Sequence, residues 1–100
     1  MKRPVIDTAR SLLRKRQFSK AIMILEPARE IYRESFEYYL TLGIACLYVG
    51  DTGNSNRYFQ QARHIRINDT RLLLGQAALF LRRGDTDLAV QYYLDVEIAV

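Results

Sequence analysis

One cysteine and one histidine are all this 100-residue chain has of the side chains that most often build metal centres and nucleophilic sites. With Cys46 alone, no internal disulfide can close and no cysteine-rich metal site can form. A lone cysteine in an apolar helical stretch reads as a small core residue. His64, the only histidine, lies in a helical stretch beside Arg63 and near Arg66 and reads as a surface residue. Proline (two) and glycine (five) are also scarce, so little interrupts regular structure. No uncharged apolar run approaches the ~18 residues that mark a membrane-spanning helix. The sequence after Met1-Lys2-Arg3-Pro4 is polar and lacks the apolar stretch of a signal peptide. A cytoplasmic protein without membrane insertion is the expectation.

Nothing resembles a catalytic cluster. Glu26, Glu30, Glu34 and Glu37 alternate with Arg29 and Arg33 at the spacing of helix-surface ion pairs. Asp85 and Asp87 suit the positive end of a helix dipole. No phosphate-cradling glycine loop is present. Asp51-Thr52-Gly53-Asn54 lacks the later ligands and closing glutamate of a calcium loop. No catalytic residue, cofactor or metal site is expected, and the chain does not read as an enzyme.

What is present is apolar residue content and a repeat. Hydrophobic residues make up 49%, which predicts an ordered fold. The net charge of +4 is uneven, because residues 1–20 hold seven basic residues against Asp7 alone. A basic end of that kind can attract nucleic acid, an anionic membrane or an acidic protein. The plainer reading is a solvated helix face, and binding of nucleic acid or an anionic membrane by this basic first helix stays as an alternative that no aromatic platform accompanies.

The repeat has a period of 34 residues. Ala9, Gly43 and Ala77 fall at that spacing, as do Ala21, Ser55 and Ala89. Large apolar residues do the same in Leu25, Phe59 and Tyr93, and two further series are Leu12, Cys46 and Phe80, and Ala28, Ala62 and Val96. Gly50-Asp51 recurs as Gly84-Asp85. Small residues let two helices approach closely, and the larger ones fill the space between neighbouring pairs. A pair cannot bury its apolar faces alone, so the pairs must stack.

These series are similar to the tetratricopeptide repeat pattern, W-x2-L-G-x2-Y followed by A-x3-F and a small residue. The middle copy is the clearest, with Tyr39, Leu42, Gly43 and Cys46, then Ser55, Phe59 and Ala62. The opening aromatic survives only as Tyr39, and Arg33 and Ile67 replace the closing proline. The resemblance implies one all-α domain over residues 1–100. It would be a right-handed α-solenoid of three helix-turn-helix units at about 2–35, 36–69 and 70–100.

Local chemistry predicts six helices, at about 4–15, 20–33, 36–49, 54–67 and 71–83, with the sixth following the Gly84-Asp85-Thr86 turn and reaching the last residues. Pro4 suits a first turn. Ser19 and Ser35 are candidate N-caps. Pro27 should kink the second helix.

The resemblance also implies a concave groove lined by the first helix of each pair, where a protein partner binds. Its slots fall on Arg3, Ile6, Arg10, Leu13 and Arg14, then Glu37, Leu40, Ile44, Leu47 and Tyr48, then Arg71, Leu74, Ala78, Leu81 and Arg82. Leu40, Ile44, Leu47, Leu74, Ala78 and Leu81 would form an apolar centre ringed by arginines. Such a groove suits an extended peptide or an amphipathic helix with acidic flanks. The slots that hold a C-terminal carboxylate in chaperone-binding members fall on Ile6, Arg10, Thr41, Arg71 and Gly75. Only Arg71 keeps the expected charge there, so that clamp is not expected. Homo-oligomerisation through the groove or through residues near Tyr92, Tyr93 and Ile98 is the alternative.

Overall fold

The computed structural model describes residues 4–99, with side chains described through residue 95. They form six α-helices: α1 (Val5–Arg14), α2 (Phe18–Leu25), α3 (Phe36–Val49), α4 (Thr52–Ile65), α5 (Thr70–Arg82) and α6 (Thr86–Ala99). No strand occurs among the described residues.

Three helix starts, those of α3, α4 and α5, carry a side-chain cap. The Ser35 hydroxyl accepts from the Tyr38 N–H, and Asp51 accepts from the Asn54 N–H, each at 3.2 Å. Asp69 accepts from the Arg71 N–H at 2.9 Å. Because Asp51 is the cap, α4 begins two residues earlier than expected. Ser19 caps nothing: α2 begins at Phe18, and its N-cap residue Gln17 makes no side-chain cap bond.

The second helix is broken rather than kinked. Pro27 has no N–H to offer the preceding turn, and its ring crowds the carbonyl there. The chain tightens into a 3-10 turn over Glu26–Ala28 and continues as turns to residue 34.

Three helices end in the same way. Gln17 N–H bonds to Leu12 C=O at 2.9 Å, Asp51 to Cys46 at 2.9 Å and Asp85 to Phe80 at 2.8 Å. The residue before each of these donors bonds back one turn, closing a double hydrogen-bonded stop with a left-handed residue at its centre. That residue is Gly50 at φ 88° and Gly84 at φ 83°, but Arg16 at φ 60° in the first unit.

Each helix packs against the next in the chain. Beyond these pairs, extended packing joins odd-numbered helices, α1 with α3 and α3 with α5. The odd helices therefore lie closer together than the even ones and form the inner layer of an elongated body of 43 × 24 × 21 Å.

The small-residue series mark the helix contacts. Ala9, Ala21, Ser55, Ala77 and Ala89 have no exposed surface, and Gly43 is buried. Leu25 and Phe59 are likewise fully buried. Tyr93, in the same slot of the last unit, is exposed, because no further helix packs on α6 among the described residues. Among the described residues no helix is long and apolar enough to cross a membrane.

Candidate interaction groove

The inner layer presents one side of α1, α3 and α5, and the expected groove residues divide into three groups on it. Leu40 and Leu47 leave the site altogether. They are 3% and 5% exposed and belong to the core. α3 is flanked by α1, α2, α4 and α5. Ten of its fourteen residues are buried, which leaves Ile44 and Tyr48 as its apolar offering to the groove.

Leu74 and Leu81 occupy the same two slots one repeat later, and they are 44% and 48% exposed. The difference is positional. An odd helix follows α3, whereas none follows α5 among the described residues. These slots therefore form the surface between units and are bare only at the last one.

Ile6, Leu13, Ile44 and Ala78 are partly buried against the core. With Tyr48, which is 58% exposed, they are the apolar part of the inner face. It is narrower than the continuous patch expected from the sequence. Arg3 lies outside the described residues.

The arginines are not uniformly available. Glu37, in the first turn of α3, bridges two helices. It accepts from the Arg10 guanidinium on α1 and from both terminal nitrogens of Arg71 on α5, at 3.0 and 2.7 Å. Arg71 also bonds to Asp69, which pairs with Arg66 at 3.3 Å. Arg66 and Arg71 lie over the Phe36 ring, at 4.5 and 5.7 Å from its centroid.

The bonds from Arg71, with support from Arg10, hold the Glu37 carboxyl below its usual range despite partial burial. Burial would raise Asp69, but its hydrogen bonds from Arg71 and Arg66 outweigh that and hold it low. Arg71 is raised in turn by Glu37 and Asp69. This end of the groove is a closed ion network rather than a set of arginines awaiting acidic flanks.

Arg82 is engaged too. Its guanidinium crosses from α5 to the Leu47 carbonyl at the end of α3. It is a second donor to that carbonyl, which also accepts from the Gly50 N–H at the helix stop.

The opposite end is different. Leu13, Arg14, Arg16, Phe18, Ile44 and Tyr48 surround an open hollow of 270 Å³. The Phe18 and Tyr48 rings stack with centroids 4.8 Å apart and planes 13° apart. Among the described residues no carboxylate lies within ion-pairing distance of Arg14 or Arg16.

Arg16, Phe18 and the hub role of Glu37 were not anticipated from the sequence. The signal for Arg16 was available, because it stands 34 positions before Gly50.

The chemistry-bearing residues remain apart. Cys46 is buried, and burial pushes its thiol up to about 11, where it stays protonated and unreactive at neutral pH. His64 is exposed on the last turn of α4. No group of three or more potential metal-ligating side chains occurs among the described residues. The chain matches no protein-family model and no curated protein.

Proposed function

We propose that the chain is a protein-interaction module of the tetratricopeptide-repeat kind, which takes a peptide or amphipathic helix on its inner face. The observation that carries this reading is the unequal treatment of that face. One end is locked by the Arg10–Glu37–Arg71 network. The other end leaves Ile44, Tyr48, Phe18 and two arginines around an open hollow. A rigid end that fixes three helices beside an apolar, cationic depression suits recognition rather than turnover.

Ile44→Glu tests the reading. It places a charge on the groove side of α3, at a position only partly buried. Loss of partner capture with helicity intact supports the groove. Retained capture moves the partner site elsewhere.

A second reading is self-assembly. It is favoured by the exposed apolar residues of the last unit, Leu74 and Leu81 on α5 and Leu88, Val90, Tyr93 and Leu94 on α6. Soluble monomers seldom leave such a surface bare. Light scattering over a concentration series separates the two readings. A constant monomer mass removes self-assembly, and a concentration-dependent dimer favours it.

A further inference from the structure

The hollow at the α1–α2 turn is built differently from its counterpart one repeat later, and the difference is in charge and access. In the later position, between α3 and α5, Arg82 reaches across to the Leu47 carbonyl. The residue 34 positions earlier is Tyr48, which stacks on Phe18 instead. Leu13 and Ile44 are left as an apolar floor and the arginines as a rim.

The backbone supplies a second departure. Arg16 holds a left-handed conformation at φ 60°, where the other two units use glycine. A side chain there is disfavoured by contact between Cβ and the backbone, and glycine relieves it. Positions that keep such a conformation against the easier residue cluster at sites of function. Here the retained side chain is a guanidinium on the rim of the hollow, beside Arg14.

We propose that this hollow binds an acidic peptide segment, with its carboxylates on Arg14 and Arg16 and an adjacent apolar side chain on Leu13, Ile44 and the Phe18–Tyr48 stack. The inference rests on the groove reading above and names the chemistry of its ligand. Charge complementarity selects the occupant. Arg10 and Arg71 already share Glu37, whereas Arg14 and Arg16 have no carboxylate partner among the described residues. Guanidinium groups pair with carboxylates through two parallel hydrogen bonds.

The size agrees. At 270 Å³ the hollow is just below the ~300–1,000 Å³ of small-ligand pockets. It therefore suits one or two side chains. A nucleic acid fits less well, since phosphate binding draws on a longer track of cations. The two aromatic rings also stack on each other rather than presenting separate platforms.

The probe is a fluorescein-labelled hexapeptide of alternating glutamate and leucine, with a glutamine-for-glutamate version as control. Fluorescence anisotropy is read at low and physiological salt. The unaltered chain should bind the glutamate peptide at least about five-fold tighter than the control, in line with two charge-assisted contacts. The Arg14→Gln/Arg16→Gly pair should abolish that preference. Arg16→Gly alone should keep or raise Tm, because it relieves the left-handed position, while weakening the glutamate peptide. Methyl resonances of Leu13 and Ile44 should shift during titration.

The proposal is overturned if the preference is absent in the unaltered chain, if it survives in the double variant, or if those methyls do not move. Tighter binding of an oligothymidylate through the same two arginines also overturns it. The neutral Ile44→Gln change separates this proposal from the broader one. If it removes binding while the double variant does not, the acidic preference fails and the groove stands. If neither change matters, both fail.

Discussion

Phe59 occupies the space that Gly43 leaves: a Cβ added to Gly43 would lie 2.5 Å from Cδ1 and Cε1 of the Phe59 ring. Gly75 on α5 meets the same ring, with its added Cβ 2.9 Å from Cζ. One fully buried aromatic on α4 thus sits against glycine backbones of the helices on either side of it. The 34-residue pattern of small and large residues is seen here as contact.

Phe59→Ala is therefore expected to remove about 3–5 kcal/mol of stability through lost contacts and a cavity. Gly43→Ala overpacks the site and should cost about 1–3 kcal/mol. Urea unfolding followed by circular dichroism measures both. A cost below about 0.5 kcal/mol for either would mean that the ring is free to move aside.

Glu37 gives the fold a defined acid sensitivity. Its folded pKa is lowered, chiefly by the hydrogen bonds from Arg71. Its contribution is present above the unfolded value of roughly 4.3 and is lost as pH falls through the folded value. The pair is partly solvated, so the effect is modest, about 0.2–1 kcal/mol. Urea midpoints of the unaltered chain and Glu37→Gln should differ at pH 7, and the difference should shrink as pH falls below the unfolded carboxylate value and through the lowered folded one. A difference that does not shrink under acid contradicts the ion-pair account.

Gln76 is buried at 1% exposure, and neither its side-chain oxygen nor its nitrogen has a partner. It stands 34 positions after Leu42, a core leucine. An unsatisfied buried amide is costly, and a similar apolar shape removes the cost. Gln76→Leu should raise stability by about 1–2 kcal/mol, which for a chain of this size means a Tm higher by about 4–8 °C per kcal/mol. A lower Tm would show that the amide is satisfied in solution, for example by water.

Cys46 should be nearly inert in the native state. Its thiol is buried and pushed up to about 11. Iodoacetamide at pH 8 should alkylate the folded chain far more slowly than the chain in denaturant, because the thiolate is the reactive form. Equal rates would place the thiol at the surface.

The sequence was most informative where one residue type answers one physical demand. Ser35 as a cap, Gly50 and Gly84 as left-handed stops and the alanine series as helix contacts all follow from local chemistry. It was least informative where the outcome depends on what lies next door. Leu40 and Leu74 share a slot and a side chain, yet one is buried and the other exposed, because only the first has a following odd helix. Arg10 and Arg71 were expected to face a partner and instead share Glu37 across three helices, a contact that no local pattern encodes. Pro27 ended a helix rather than bending it, since the turns that follow make other bonds.

The central claim is that the inner face around Ile44 meets another protein, and site-specific photocrosslinking tests it most directly. A benzophenone amino acid replaces Ile44 in one sample and Met23, exposed on α2, in another. Both are irradiated in cells, and the adducts are identified by mass. The account predicts adducts with a different polypeptide from position 44 and not from position 23. Adducts from position 23 alone, none from either, or only a second copy of this chain at position 44 would contradict it.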